Sequence, residues 1–210
     1  MVKSILCYGD SNTWGYDPVT QNRFDAKTRW PRVLGQTLGH DYEVIEEGLG
    51  GRTTVWNDPI EGYKNGREYL IPCLESHQPL DLVIILLGTN DLKKRFSLSA
   101  YDIAQGAGVL VRVVQGSQSG REGLAPQVLL LAPPPTVALT ENAEMFEDAG
   151  GKSQKFPEHY GRVAKELGCA YLDTSIVIVS SPLDGIHFER DEHRKLGKAV
   201  AEKVKELIGC

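Results

Sequence analysis

The stretch Ile5-Leu6-Cys7-Tyr8-Gly9-Asp10-Ser11 decides how the rest of the sequence is interpreted. It begins with a short apolar run, which is typical of a strand covered on both faces, and it ends in Gly-Asp-Ser. A polar triplet directly after a buried strand of an α/β protein lies at the carboxyl end of the sheet, where such proteins place their sites. Gly-Asp-Ser also fits an ordinary turn, so its meaning depends on the rest of the chain.

Five apolar segments, beginning with the one inside this stretch, predict the strands of a parallel sheet. Most are short continuous runs rather than alternating patterns, as expected when helices cover both faces of a sheet. The predicted strands cover residues 4–8, 42–46, 82–87, 128–132 and 169–172.

Helical patterns lie between and after these segments, over residues 31–38, 68–76, 100–115, 155–167 and 191–208. We expect Pro72 to confine the second helix to part of its span and Gly168 to end the fourth. The alternation of strand and helix predicts a doubly wound α/β fold, in one domain over residues 1–210. Because crossovers between parallel strands are right-handed, the loops that follow the strands should meet at one edge of the sheet.

The composition excludes several classes of function. With 41% hydrophobic and 24% charged residues and a net charge of −5, the chain is typical of a soluble globular protein. The longest basic cluster, Lys93-Lys94-Arg95, suits a solvated loop, so no nucleic-acid partner is expected. No signal-peptide pattern is present, and the longest apolar run, residues 82–87, is too short to cross a membrane. We therefore expect a cytoplasmic protein without a membrane partner.

The four cysteines, Cys7, Cys73, Cys169 and Cys210, show no paired spacing, so neither a zinc nor a redox motif is indicated. Cys7 and Cys169 lie in apolar runs and are expected to be small core residues, whereas the terminal Cys210 should be exposed. Histidines, cysteines and carboxylates nowhere show metal-ligand spacing, and the glycine patterns of nucleotide-binding folds are absent. We therefore expect neither a metal nor a cofactor.

Polar groups follow the predicted strands at the edge where their loops should meet. Ser11 follows the first strand, Gly-Leu-Gly-Gly-Arg at 48–52 the second, and Gly-Thr-Asn-Asp at 88–91 the third; Asp184 and His187 follow the last. A serine nucleophile needs a base that takes its proton and a group that orients the base. Ser11 can be the nucleophile, His187 the base and Asp184 the group that orients the base. Asp184 lies three residues before His187, and in a tight loop this spacing lets the carboxylate reach Nδ1 of the imidazole.

Acyl transfer also needs hydrogen-bond donors for the oxyanion of its transition state. Asn90 offers a side-chain amide, Gly51 a backbone amide without an obstructing side chain, and Ser11 its own amide at a helix start. Taken alone, Ser11 suits a helix cap and His187 a structural loop histidine. The presence of all these groups on one edge favours catalysis.

The order of Gly9-Asp10-Ser11, Gly51, Gly88-Thr89-Asn90-Asp91 and Asp184-x-x-His187 resembles the SGNH (GDSL-type) hydrolase family. Within it, residues 5–15, 44–54, 80–91 and 184–188 resemble the mycobacterial arylesterase/acyltransferase group. The resemblance implies a flavodoxin-like three-layer α/β/α fold with five parallel strands. It also implies a catalytic triad of Ser11, Asp184 and His187, and an oxyanion hole formed by the Ser11 amide, Gly51 and Asn90.

The same resemblance implies a serine esterase that hydrolyses small-molecule carboxylic esters, with water or an alcohol as acyl acceptor, and that transfers acyl groups to alcohols or peroxide. It further implies a homo-oligomer. A carbohydrate acetylesterase is the alternative activity, because the long polar segments could hold a sugar. A non-catalytic binding module has no need for a triad together with an oxyanion hole.

Several positions depart from the mycobacterial group. Gly51 stands where that group has alanine and Tyr16 where it has tryptophan, while residues 17–24 and 138–153 differ in length or sequence. These changes concern the substrate range and the assembly rather than the chemistry. Trp14 and Tyr16 are candidates for substrate binding, although packing in the core or in an interface suits them as well.

Other residues are open to two interpretations. The long polar segments 16–28 and 133–153 suit binding loops, lids or interface segments, and equally plain surface loops. Asp10 is a candidate substrate contact, although its place beside Ser11 better suits a hydrogen bond that braces the loop. Asp91 is expected to brace the turn after the third strand.

The remaining charged and aromatic residues near the predicted edge have ordinary interpretations. Arg52 and Arg95 could meet an anionic substrate, but an ion-paired or solvated surface position is expected. Trp30 is expected in the core. The histidines without a matching partner are expected at the surface, and these are His40, His77, His159 and His193.

Overall fold

A parallel sheet of five strands forms the centre of the structure, a computed structural model that describes residues 2–209. In chain order the strands are β1 (Lys3–Gly9), β2 (Tyr42–Gly48), β3 (Leu82–Leu86), β4 (Gln127–Ala132) and β5 (Ala170–Asp173). Across the sheet their order is β2-β1-β3-β4-β5, with every neighbouring pair parallel. The five predicted strands are confirmed, with differences of one or two residues at their ends.

Helices cover both faces of this sheet. Over the described residues they are α1 (Ser11–Trp14), α2 (Trp30–Leu38), α3 (Gly66–His77), α4 (Ala100–Gln115), α5 (Ala149–Ser153), α6 (Phe156–Leu167) and α7 (Arg190–Ile208). The five predicted helices are confirmed. Periodicity did not indicate α1 and α5, because helices of four and five residues are too short to show a period, although a helix start at Ser11 was expected from its place after β1.

Two separate hydrophobic clusters flank the sheet, because side chains alternate between its faces along each strand. Ile5 and Cys7 of β1 point into a cluster shared with α2 and α7. Leu6 and Tyr8 point the other way, into a cluster shared with α3, α4 and α6. This arrangement is the expected three-layer α/β/α fold, and its strand order is that of flavodoxin-like sheets.

The helix α3 runs without interruption through Pro72, so the expectation that this proline would limit the helix was wrong. Proline removes one helical hydrogen bond and crowds the carbonyl four residues earlier. Two features offset this cost. The Asn65 side chain caps the start of α3 by accepting from the amide of Arg67 at 3.0 Å, and Leu70 and Leu74 are fully packed in the core.

His193 lies in the core rather than at the surface, so its predicted exposure was wrong. Its ring packs edge-on against those of Phe24 and Phe188, and its Nδ1 accepts a hydrogen bond from the Trp30 amide at 3.3 Å. Burial lowers the pKa of His193 to about 3, which keeps the ring neutral. Trp30 is fully buried, as expected.

Cys7 and Cys169 have the core positions that the sequence predicts. Cys7 is fully buried and Cys169 packs against the edge of the core, as expected, while Cys210 lies outside the described residues. None of the helices within residues 2–209 combines the length and apolar character that crossing a membrane requires.

Candidate active site

Ser11 begins α1, directly after β1 reaches the carboxyl edge of the sheet. The preceding Asp10 caps this short helix by accepting from the Asn12 amide at 2.9 Å. Because the first amides of a helix have no partner inside the helix, the Ser11 amide is a donor that an anionic oxygen can use. The same few residues therefore present both a hydroxyl and an amide at the edge.

His187 connects Ser11 to Asp184. The Nε2 atom of His187 lies 2.9 Å from Oγ of Ser11, and its Nδ1 lies 2.6 Å from Oδ2 of Asp184. The other carboxylate oxygen of Asp184 accepts from the amides of Ile186 and His187, each at 2.9 Å. A hydroxyl, an imidazole and a carboxylate thus form one line of hydrogen bonds, although 176 positions separate Ser11 from His187.

The Asp184 carboxylate is held in its charged form. Burial by itself opposes this, but hydrogen bonds from the His187 ring and from two backbone amides, together with the electrostatic attraction of the ring, outweigh the burial. The pKa of Asp184 is consequently lowered. An ionised Asp184 fixes the proton of His187 on Nδ1 and leaves Nε2 free to accept the Ser11 proton.

The loop that carries Asp184 and His187 needs a glycine at position 185. Gly185 has φ of +82°, and a Cβ there would come within 2.8 Å of the Ala138 carbonyl oxygen. The Gly185 carbonyl accepts from the Val137 amide at 3.0 Å. Nearby, Oγ1 of Thr140 donates to the Leu183 carbonyl at 2.8 Å. The segment 133–153 therefore holds this loop in place through backbone contacts.

The three oxyanion-hole candidates line the same small cavity as His187. Asn90 is buried and its Nδ2 donates to the Arg52 carbonyl at 3.2 Å. Since a primary amide carries two N–H groups, one remains for a substrate oxygen. Gly51 has φ of +80°, and a Cβ there would lie 2.3 Å from Oε2 of Glu61, so the glycine keeps the wall open at this point.

Buried charges tie together the loops after β1, β2 and β3. The Asp91 carboxylate accepts from the Thr54 amide at 3.0 and 3.1 Å and also from the Thr54 hydroxyl. This contact confirms Asp91 as a brace, but the brace joins two loops rather than closing one turn. Burial raises the pKa of Asp91 to about 7.

Arg52 is 2% exposed, so the expected surface position was wrong. Its Nη1 donates to the Gly9 carbonyl at 2.9 Å and to the Glu47 carbonyl. Its guanidinium lies 4.2 Å from the centroid of the Tyr8 ring. Carbonyl oxygens and an aromatic face thus stabilise the buried charge of Arg52. Both kinds of partner come from other parts of the fold, so the sequence around Arg52 did not indicate its burial.

Of the three candidates for substrate binding, only Tyr16 lines the cavity. Asp10 is 1% exposed and is not among the residues that line the cavity, and its carboxylate braces the loop by accepting from the Asn12 amide. Burial raises the pKa of Asp10 to about 6. Trp14 also lies outside the cavity, with its ring against the Arg23 guanidinium at 5.2 Å. Tyr16 does line the cavity, with its ring centroid 4.2 Å from that of His187.

The cavity has a volume of about 280 Å³ and includes residues that sequence reasoning missed. Met145, Phe146 and Ile186 form an apolar part of its wall. A polar part is formed by Glu61, Lys93 and Asn142. The only signal for these residues was the length of the segment 133–153, which supplies three of them and is therefore a cavity wall rather than a plain surface loop.

Lys93 was expected in a solvated basic loop, yet it is 3% exposed. Its Nζ forms ion pairs with Glu61 and, at 3.7 Å, with Asp58. Arg95, in contrast, is ion-paired near the surface as expected, with Nη2 2.9 Å from Glu61. Two acidic residues about thirty positions upstream draw Lys93 inward, and neighbouring residues in the sequence give no sign of them.

Comparison with known proteins places this geometry in a family. The model of the GDSL-like lipase/acylhydrolase family matches residues 7–196. The native aryl esterase of M. smegmatis superposes with a TM-score of 0.95 at 43% identity, covering 99% of this chain and 100% of that one. Est24, a carbohydrate acetylesterase from Sinorhizobium meliloti, gives 0.95 at 39% identity, covering 98% and 100%.

A third structure, of a putative arylesterase from Agrobacterium tumefaciens, has a TM-score of 0.92 at 37% identity and covers 99% of this chain and 100% of that one. The comparison with curated proteins returned no match. The similarity to solved structures therefore extends over almost the whole chain, well beyond the residues around the cavity.

Proposed function

Because the chain belongs to the GDSL-like lipase/acylhydrolase family and is a carboxylic ester hydrolase, we propose that Ser11, His187 and Asp184 are its catalytic triad. The observation that carries the proposal is the line of hydrogen bonds from Ser11 Oγ through His187 to Asp184, which opens into the cavity. In this proposal the enzyme acts through an acyl-enzyme intermediate.

In the acylation step, Ser11 Oγ attacks the carbonyl carbon of the ester while Nε2 of His187 takes the hydroxyl proton. A C–O bond forms and the carbonyl oxygen becomes an oxyanion, which the amides of Ser11 and Gly51 and the Nδ2 of Asn90 stabilise. His187 then gives its proton to the leaving alkoxide as the ester bond breaks. Asp184 stabilises the imidazolium throughout without taking the proton.

In the deacylation step, a second hydroxyl replaces the departed alcohol. His187 takes a proton from water, the water oxygen attacks the acyl carbon, and Ser11 leaves with the proton returned by His187. An alcohol or hydrogen peroxide fits the same sequence and gives an ester or a peracid, respectively, in place of the carboxylic acid. We propose that such acyl transfer accompanies hydrolysis, because an apolar wall of Met145, Phe146 and Ile186 favours organic acceptors.

The cavity limits the substrate to a short acyl group. Its volume of about 280 Å³ is small for a ligand site, and Tyr16 stands beside His187 at its edge. Short-chain acetyl and aryl esters suit this space, and the relative from M. smegmatis is an aryl esterase. A series of p-nitrophenyl esters of increasing chain length tests the limit, with kcat/KM expected to fall beyond the shortest acyl groups.

Deacetylation of carbohydrates is the second candidate, and it is favoured by the polar wall of Glu61, Lys93 and Asn142. Carboxylate, ammonium and amide groups are suited to sugar hydroxyls, and Est24 is a carbohydrate acetylesterase. Acetylated xylose compared with p-nitrophenyl acetate separates the two candidates. Asn142→Ala should impair the sugar ester selectively if the carbohydrate is the substrate.

Replacing Ser11 by alanine tests the mechanism itself. We expect Ser11→Ala to lower kcat/KM for p-nitrophenyl acetate by about 10⁴- to 10⁶-fold, because the nucleophile is lost. Ser117→Ala, in a turn after α4, is the matched control and should retain full activity. Activity in the Ser11 variant equal to that of the control would show that Ser11 is not the nucleophile and would end the proposed triad.

Homo-oligomerisation and a cytoplasmic location stay predictions from the sequence. The segments 16–28 and 133–153 are the proposed contact regions. Because residues of the second segment line the cavity, contacts there would narrow its entrance. Size-exclusion chromatography with light scattering measures the assembly, and a purely monomeric mass would contradict it.

A further inference from the structure

Three side chains with metal-binding atoms converge where β2 meets α3, away from the Ser11 cavity. They are Glu47, Cys73 and His77, and a carboxylate oxygen, the thiol sulfur and a ring nitrogen all lie within 4.8 Å of one another. The Oε1 atom of Glu47 and the Nε2 atom of His77 are 2.9 Å apart. Among residues 2–209, this is the one group of three such side chains that meets this distance.

The fold brings these residues together for simple geometric reasons. Cys73 and His77 are four residues apart in α3, so they lie on the same helix face, one turn from each other. Glu46 and Glu47 point to opposite faces of β2: Glu46 pairs with Arg29 and Arg32 on the α2 side, and Glu47 meets α3. The third member thus comes from a distant strand, which is why sequence spacing gave no indication of the group.

We propose that Glu47, Cys73 and His77 bind a divalent transition-metal ion of the zinc type. Thiolate, imidazole and carboxylate are the ligands of Zn²⁺ in proteins, whereas Mg²⁺ and Ca²⁺ prefer all-oxygen sets. Three protein ligands leave the fourth tetrahedral position for water. On binding, the Cys73 S–H bond breaks, its proton leaves to solvent, and a metal–sulfur bond forms; His77 coordinates through unprotonated Nε2 and Glu47 through an oxygen.

Charged and aromatic side chains lie beside the three ligands. The Arg52 guanidinium lies 4.2 Å from the centroid of the Tyr8 ring and 5.3 Å from that of the Tyr69 ring. Its Nη1 donates to the Gly9 and Glu47 carbonyls. Ring faces and carbonyl oxygens therefore stabilise the charge of Arg52 next to the proposed site.

Glu47 also lines a cavity beside the three ligands. This cavity has a volume of about 430 Å³, and Arg52, Asn65 and Tyr69 are among its other lining residues. The side chains of His77 and Glu47 are 30% and 20% exposed, while Cys73 is the buried ligand. An ion from solvent would therefore bind first to the partly exposed His77 and Glu47, and the buried Cys73 would complete the coordination.

The test uses the full-length protein, stripped with a chelator and titrated with Co²⁺ as a spectroscopic probe. We expect one Co²⁺ to bind with a thiolate-to-cobalt charge-transfer band and the visible absorption of tetrahedral cobalt, and one equivalent of Zn²⁺ to displace it. Cys73→Ser should abolish the charge-transfer band and weaken binding by more than about 100-fold, since changes in outer partners alone cost about 10- to 100-fold.

His77→Gln provides an independent variant at a half-exposed position that should not disturb folding, and it should weaken binding by a similar factor. The matched controls are Cys169→Ser and Cys210→Ser, which should keep both the band and the affinity. Because each ligand proton released adds to the pH dependence, affinity should rise by up to about tenfold per pH unit.

Absence of a charge-transfer band in the unmodified protein would overturn the proposal. So would a band that persists in Cys73→Ser or that disappears in either control. The esterase assay with p-nitrophenyl acetate, run on the same samples, distinguishes this result from a failure of the proposed function, because Glu47, Cys73 and His77 lie outside the Ser11 cavity.

Discussion

The two halves of the candidate active site are held in place by different forces. The half that carries Ser11, Gly51 and Asn90 follows β1, β2 and β3, and buried charged groups join its loops, with Asp91 bound to Thr54 and Arg52 to the Gly9 carbonyl. The half that carries Asp184 and His187 rests on the segment 133–153, whose Val137 amide and Thr140 hydroxyl donate hydrogen bonds to carbonyls of the loop.

The two halves differ in where the anchoring side chain stands in the sequence. In the first half, each anchoring side chain is next to a functional residue, Arg52 beside Gly51 and Asp91 beside Asn90, although its partner lies on another loop. In the second half, the position of His187 depends on Val137 and Thr140, which are more than forty residues away in the chain. The base is therefore the part of the site that is most sensitive to changes elsewhere in the sequence.

Among changes to the groups that position the two halves, the largest effect should come from removing the charge that orients the base. Asp184→Asn is expected to lower kcat by about 10³- to 10⁴-fold with little change in KM, because the amide no longer fixes the proton of His187 on Nδ1. Steady-state kinetics with p-nitrophenyl acetate measures the loss. Asp191→Asn, an exposed position at the start of α7, is the matched control, and an equal loss in both variants would contradict the assignment.

A single substitution, at Gly185, tests whether contact with segment 133–153 positions the second half of the site. Gly185→Ala should lower kcat/KM by about 10²-fold, because a Cβ at 2.8 Å from the Ala138 carbonyl forces the loop to shift. Gly123→Ala is the control, since Gly123 also has positive φ, of +72°, but open space around it. A full loss in the control, or none in Gly185→Ala, would show that contact with Ala138 does not position the base.

The buried charges of the first half should give stability a distinctive pH dependence. The pKa of Asp91 rises from 3.8 to about 7, so between these values the native state binds a proton that the unfolded chain releases. The free energy of unfolding therefore falls as the pH rises through this window, by at most about 1.4 kcal/mol per unit. Asp10, with a pKa raised to about 6, contributes in the same direction.

Asp91→Asn should remove its share of that slope. Urea unfolding of the variant and the unmodified protein at several pH values between about 4 and 7 measures the difference. The variant should be less stable overall, by about 1–3 kcal/mol, because the Thr54 amide and hydroxyl lose an ionisable acceptor. Identical slopes would mean that Asp91 does not titrate in this range. Asp191→Asn serves again as the exposed control.

The smallest effect concerns Tyr16, which connects the two halves. Its amide donates to the Ser11 carbonyl at 3.0 Å, and its ring lies against that of His187. Tyr16→Leu should reduce kcat/KM by about 3- to 10-fold through the loss of ring contact, whereas Tyr16→Phe should stay within about twofold. Equal losses in both variants would assign the effect to the hydroxyl instead.

Sequence reasoning succeeded where the cause of a structure lies close by in the chain. Continuous apolar runs such as Leu82–Leu86 identified the buried strands, and the meeting of their loops at one edge then followed from right-handed crossovers. The grouping of Ser11, Asn90 and His187 at one edge followed from the same reasoning. Their roles in catalysis remain a proposal that the kinetic experiments test.

Sequence reasoning failed where a distant partner decides the position of a side chain. Arg52, Lys93 and His193 looked like surface residues, because their type is usually exposed and their stabilising partners lie far away in the chain. Arg52 reaches the Tyr8 ring, Lys93 reaches Glu61, and His193 reaches Trp30. Such contacts exist only after folding, so patterns of neighbouring residues cannot reveal them.

The sheet order also has a consequence for aggregation. The strand β2 lies at one edge of the sheet, where unpaired backbone groups could recruit a strand from another chain. Its sequence, Tyr-Glu-Val-Ile-Glu-Glu-Gly, carries three glutamates, of which Glu43 is exposed, and the opposite edge strand, β5, is only four residues long. An exposed carboxylate on one edge strand and a short strand at the other edge both disfavour the addition of a strand from another chain, and they oppose growth of the sheet into fibrils.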